Sequence, residues 1–280
     1  MRPSSNFLAI PALIEVAGTT GSGFNIYDDT SNYLVSARHV LFKNSLEIFE
    51  TPVTVTSLDQ ITQTKIVQHS LDCTILFAGD NFIGHANPDV DIAVCRTSSL
   101  TPRTDLGANF FDSHVCDGVK DLTGDDVLQL GLSFDQCAIS ATVMPGDSIF
   151  LVGYPTSLAK EEKALDRGYP LLRSGVVAGK PPSGKIINDC PTYPGNSGGL
   201  VVSANGHHPV GVAVRNIGFT EKLLSSIDRA EVSRRRHNTG YTVVEPIDLV
   251  IETIIQLRYL AHRKAVAAGL PSPLRPSTSA

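Results

Sequence analysis

From Ala9 to Pro246 the apolar residues fall in short runs separated by Gly, Pro, Asn and Asp, a pattern of many antiparallel strands rather than of strands alternating with helices. The period-2 segments predict strands over Ala12–Val16, Gly23–Tyr27, Tyr33–Ser36, Val53–Thr56, Ile92–Arg96, Ser148–Gly153, Leu171–Ala178, Leu200–Ser203, Val210–Val214 and Gly240–Val244. The polar stretch Asp117–Asp126 follows neither period and divides the chain into two halves, each able to close as its own barrel. One helix is predicted, over about 246–265. Pro246 stands at its start, and Ile247, Leu249, Val250, Ile254, Ile255, Leu257 and Leu260 form a broad apolar stripe that should pack on the second half. Residues 269–280, rich in Pro and Ser, are expected to be a disordered tail.

The chain has 280 residues, 42% hydrophobic and 18% charged, enough to bury a substantial core. A formal net charge of −5 argues against a nucleic-acid binder and against attraction to an anionic membrane. The basic cluster Arg234-Arg235-Arg236 reads as a solvated loop, with a phosphate or partner contact as the alternative. Five widely spaced cysteines without a C-x-x-C pair suggest neither a disulfide framework nor a zinc site, and no cofactor or metal is expected. Reduced thiols, a poor leader (Phe7–Val16 is broken by Pro11 and Glu15) and no apolar run of about 20 residues fit a cytoplasmic chain. Export by another route stays open.

The most informative stretch is Tyr193-Pro194-Gly195-Asn196-Ser197-Gly198-Gly199, followed by the strand-like Leu200-Val201-Val202. Acyl transfer needs a nucleophile on a tight turn whose backbone N–H groups converge on a developing oxyanion, and glycine permits the dihedral angles such a turn demands. A glycine-rich hairpin turn is the bland alternative. The segment also satisfies the G-x-S-x-G elbow of α/β-hydrolases, but that motif leads into a helix and needs a later histidine. Here β-rich sequence follows, and His207, His208, His237 and His262 lie in no suitable setting. An earlier histidine, His39, ends the apolar run Tyr33–Ala37.

Taken in order, Gly21-Ser22-Gly23-Phe24, Val35-Ser36-Ala37-Arg38-His39-Val40, Asp91-Ile92-Ala93-Val94 and Pro194–Gly199 resemble the four signature blocks of trypsin-like serine peptidases, closest to the bacterial HtrA-type branch. Val152–Pro155, Ser174–Val177, Val210–Val212 and Gly240–Pro246 resemble that branch's second barrel, so the likeness spans roughly residues 12–255. The resemblance implies an all-β fold of two antiparallel barrels with the active site between them. It implies a peptidase domain over 1–268, with a first barrel of about 8–120, a second of about 125–246 and then the helix. It makes His39 the general base, Asp91 the carboxylate that orients it, Ser197 the nucleophile, and the backbone N–H groups of Gly195 and Ser197 the oxyanion hole. Of the two nearby carboxylates, Asp91 directly precedes the apolar strand, whereas Asp89 should face solvent.

The same resemblance points to Cys190, Pro191, Thr192, Val212, Val214, Arg215 and Asn216 as substrate-binding residues, with Cys190 a small wall rather than a second nucleophile. No carboxylate appears at the pocket floor, and Asp189 should lie outside it. A small or medium apolar residue before the scissile bond is expected, with Arg215 able to admit acidic side chains. Asn196 stands where zymogen-type enzymes carry an aspartate, so activation should come from loop ordering or a regulatory protein partner rather than from clipping. Thr156–Tyr169 and the insertion Ile217–Thr239 are the candidate gating loops. After Pro246 too little chain follows for a PDZ domain. The expected function is a serine endopeptidase acting on polypeptide. A catalytically silent peptide-binding scaffold and an esterase-like hydrolase are the alternatives.

Overall fold

The computed structural model describes residues 5–44, 47–59, 66–102, 111–123, 131–137, 140–205, 208–224 and 231–268. The first half holds strands β1 (Pro11–Val16), β2 (Thr19–Tyr27), β3 (Ser31–Ser36), β4 (Val53–Leu58), β5 (Ile66–Leu71), β6 (Phe82–Gly84), β7 (Ala93–Pro102), β8 (Phe111–Val115), β9 (Val119–Asp121) and β10 (Leu132–Ser133). They form one barrel-like sheet whose main path runs β6-β7-β3-β2-β1-β4-β5-β9, with β10 beside β2 and β8 beside β7. The second half is a closed barrel of β11 (Ser148–Gly153), β12 (Leu171–Gly179), β13 (Ile186–Asn188), β14 (Gly199–Ser203), β15 (Pro209–Leu224) and β16 (Glu231–Pro246). The α-helices among the described residues are α1 (Arg38–Leu41), α2 (Cys73–Ala78), α3 (Thr156–Glu161) and α4 (Ile247–Ala267), with three short 3-10 turns besides. The fold is thus mostly β, of chymotrypsin type. Leu132 and Ser133 still pair with the first sheet, so the chain crosses to the second barrel between Ser133 and Ser148.

Strand alternation decides which core each apolar residue enters. In β11, Ile149 and Leu151 fill the interior of the second barrel, while Phe150 joins the larger core that also takes in the first sheet. In β14, Val201 faces the barrel interior, and Leu200 and Val202 face the larger core. Helix α4 differs from expectation in its reach. It buries Ile247, Val250, Ile254 and Leu257 in the larger core and also ties to the first half, where Arg258 Nη1 lies 3.3 Å from Asp28 Oδ2 and Lys264 Nζ 3.3 Å from Asp80 Oδ2. Ile255 and Leu260, expected in the packed stripe, are exposed, as are Tyr259 and Val266; no helix among the described residues is long and apolar enough to cross a membrane.

The segment Ile217–Thr239, expected as an inserted loop, is instead a β-ribbon among its described residues. β15 and β16 stay paired out to Leu224↔Glu231, beyond the point where β14 stops at Gly199↔Ala213. Charged and polar residues on both faces of a two-stranded ribbon leave no alternation to read, which is why its sequence looks like a loop. Arg234, Arg235 and Arg236 lie on it, exposed. The tail 269–280 and His207 fall outside the described residues.

Ser22 of β2 joins the two halves. Its hydroxyl donates to the Gly195 carbonyl (2.7 Å) and accepts the Tyr154 N–H (2.8 Å); its N–H donates to the Ser197 carbonyl (2.7 Å); its carbonyl accepts the Ser36 hydroxyl (2.7 Å). All five cysteines are free. Burial pushes the Cys73, Cys137 and Cys190 thiols up to about 12, Cys95 well above its usual value, and Cys116 upward as well.

Two outcomes follow. Ser22→Ala strands the buried Tyr154 N–H and Gly195 carbonyl, so urea unfolding should show a loss of about 1–3 kcal/mol. At pH 8 the five thiols are protonated, so the native protein should react slowly with an aromatic disulfide reagent, faster as pH rises, and react at all five sites at once when unfolded.

Candidate active site

His39 sits on α1, a single turn that directly follows β3. Ala37, Val40 and Leu41 are buried beneath it, which leaves the imidazole exposed at the cleft (51%). Asp91 sits just before β7, with its side chain 28% exposed. The two meet: His39 Nδ1 lies 2.7 Å from Asp91 Oδ2, and the His39 backbone N–H donates to Asp91 Oδ1 at 3.0 Å. Arg38 N–H donates to the Asp91 carbonyl at 3.2 Å, so the main chains are also joined. Burial alone would raise the Asp91 pKa, but the hydrogen bond and charge of His39, with backbone N–H donors, outweigh it and hold the carboxyl below its usual range. The carboxylate is therefore ionised at neutral pH. Asp89 is exposed.

Ser197 comes from the turn before β14 and lines the same cleft as His39 and Asp91. Its hydroxyl donates to the Val214 carbonyl at 3.1 Å rather than to His39. The turn depends on two left-handed glycines. Gly195 has φ +104°, and a Cβ there would overlap the Tyr154 carbonyl and Thr156; Gly198 has φ +89°, with a Cβ running into the Ser22 carbonyl. The Pro194 carbonyl accepts Ser157 N–H (3.2 Å) and the Asn196 carbonyl accepts Gly199 N–H (2.9 Å). In a trans peptide N–H and C=O point oppositely, so the Gly195 and Ser197 N–H groups turn away from those partners. Neither bonds to another described residue.

Of the residues that the resemblance points to for substrate binding, Thr192, Val214, Arg215 and Asn216 line the cleft. Cys190 and Val212 do not; both are fully buried, the first in the interior of the second barrel and the second in the larger core. Pro191 also lies off the cleft surface, its carbonyl accepting Arg173 Nη1 at 2.9 Å. Cys190 and Val212 are instead drawn into apolar cores, and Pro191 presents its carbonyl to Arg173. Thr192 Oγ1 accepts from Oγ1 of the buried Thr242 at 3.0 Å. Asp189 is exposed and accepts Val176 N–H at 2.6 Å. Asp91 is the single acidic residue among the described residues lining the cleft, alongside the cations Lys43 and Arg215.

Sequence reading missed the part played by Ser22. The residue stands inside the first glycine-rich block, but its partners Tyr154, Gly195 and Ser197 lie far along the chain, and only the packing of the two halves reveals them.

A family model described as the trypsin-like peptidase domain matches residues 21–212. Among solved structures, Deg5 is similar over 91% of this chain and 90% of its own, with TM-score 0.52 and 20% identity. The serine endoprotease from Yersinia pestis aligns over 92% of this chain and 68% of its own (TM-score 0.48, 16% identity). The HtrA-type protease AlgW aligns over 96% and 65% (TM-score 0.49, 14% identity). No curated protein sequence matches. The Deg5 likeness speaks to the fold alone, whereas the family match covers well over half of the chain. The chain belongs to the trypsin-like peptidase domain family.

Proposed function

We propose that this protein is a serine endopeptidase in which His39 is general base and then general acid, Asp91 orients it, and Ser197 is the nucleophile. The observation that carries the reading is the 2.7 Å bond between His39 Nδ1 and an ionised Asp91, in the cleft that also holds Ser197. The ionised Asp91 Oδ2 accepts a hydrogen bond from His39 Nδ1–H, which leaves Nε2 as the basic nitrogen facing the cleft. Ser197 Oγ attacks the scissile carbonyl carbon as its proton passes to Nε2. The oxyanion accepts from the Gly195 and Ser197 N–H groups, and collapse expels the amine, which takes the proton from His39. Water then repeats the sequence on the acyl-enzyme and returns the serine.

At rest the Ser197 proton is committed to Val214, so a rotation about Cα–Cβ must bring Oγ to Nε2. Loop ordering has a physical route to the site. Ser157 N–H, at the start of Thr156–Tyr169, braces the peptide that presents Gly195 N–H, and Thr156 Oγ1 bonds Thr20 Oγ1 at 2.6 Å across the halves. Substrate would be extended polypeptide. Arg215 and Asn216 pair with β16 on one edge, while β14 pairing stops at Ala213, which leaves the other edge of 214–216 without a strand partner for an added strand to use once the Ser197 hydroxyl leaves the Val214 carbonyl.

A fluorophosphonate probe should label the parent and neither Ser197→Ala nor His39→Ala; equal labelling of all three ends the assignment. Asp91→Asn should lower kcat about 10⁴-fold on an unfolded fluorescent polypeptide. Gly195→Ala, which the turn cannot accommodate without moving the donor, should cost about 10²–10³-fold in kcat. Parental turnover in that variant removes the backbone of residue 195 from the oxyanion hole.

A further inference from the structure

Asp91 lies in the segment between β6 and β7, and its carboxylate faces His39 in the first half. On the opposite side of that segment is a buried ion pair from the second barrel. Glu245, near the end of β16, is 1% exposed and pairs with Lys185, 24% exposed, just before β13. Both groups also bond the Asp91 segment. Glu245 Oε1 accepts the Asp91 N–H at 3.2 Å, and Lys185 Nζ donates to the Asp89 carbonyl at 3.2 Å. An anion thus meets a main-chain donor, and a cation meets a main-chain acceptor two residues earlier.

Burying a carboxylate is costly unless it is fully paired, and Glu245 Oε2 has no partner among the described residues. An apolar side chain would fill the place at lower cost. What the carboxylate supplies is an acceptor for the N–H of the residue that faces His39. Neither Glu245 nor Lys185 lines the cleft, so neither touches substrate there.

We propose that Glu245, anchored by Lys185, is a positioning residue: from the second barrel it holds the Asp91 main chain so that the carboxylate stays in register with His39 Nδ1. This rests on the assignment of Asp91 and His39 made above. The pair acts only through Asp91, and it makes the geometry of a first-half dyad depend on correct docking of the second barrel.

The test uses the full chain with Lys185 retained, since its side chain is 24% exposed and can turn to solvent when the carboxylate is removed. Glu245→Leu takes away the acceptor; Glu245→Gln keeps an oxygen in its place. Circular dichroism establishes folding, and two readouts follow: the low-field proton resonance of the His39 Nδ1–H and kcat against KM on an unfolded fluorescent polypeptide. The Leu variant should lose or broaden the resonance and fall about tenfold to a hundredfold in kcat with KM little changed, as a misplaced catalytic group does. The Gln variant should restore both. A folded Leu variant with the parental resonance and kcat overturns the proposal, and so does a Gln variant as impaired as the Leu variant. Failure of the underlying assignment has a different sign: turnover surviving Ser197→Ala, while the resonance still reports on the clamp.

Discussion

The structure depends on the way one small hydroxyl residue joins two sheets. Each polar group of Ser22 is engaged, and three of its four bonds go to the second half: to Tyr154, to Gly195 and to Ser197. A buried amide or carbonyl without a partner is expensive, so these bonds admit one relative placement of the halves and penalise others. The apolar core that runs from the first sheet through Leu200, Val202 and Val212 supplies most of the adhesion, but such contact is non-directional. Directional bonds at the seam convert adhesion into register.

That division of labour recurs around the cleft. The imidazole and its carboxylate belong to the first half, the serine turn to the second, and polar links tie each part to the far side. Ser22 reaches forward to the serine turn, while Glu245 and Lys185 reach back to the Asp91 segment. Both carboxylates in this chain of contacts are paired with a cation or with N–H donors, which is how a buried carboxyl group is tolerated. Helix α4 lies across both halves and closes the assembly from outside.

Much of the fold was legible in sequence because most strands that build it are short apolar runs with clear alternation: β1, β2, β3, β11 and β14 appear within a few residues of their predicted bounds. The strands that escaped notice are short or polar. β5 carries Gln68, His69 and Ser70 at half-buried positions, and β13 is three residues long. At the site, the order and setting of His39, Asp91 and Ser197 could be read, and the structure brings all three to one cleft. The specificity residues were harder. Cys190 and Val212 stand two residues from the cleft-lining Thr192 and Val214 yet sit in apolar cores, a choice made by tertiary packing that sequence spacing does not encode. The roles of Ser22 and Glu245 were invisible for another reason: their partners are brought near only by tertiary packing.

The bonds that shape the serine turn come from the main chain and from Ser22, not from the Ser197 side chain, whose hydroxyl contacts only the Val214 carbonyl. The scaffold is therefore indifferent to what that side chain carries. On the proposed chemistry, a cutter of polypeptides and a mute receptor of identical shape differ here by one oxygen atom, and removing that atom would turn a transient visitor into a guest that stays.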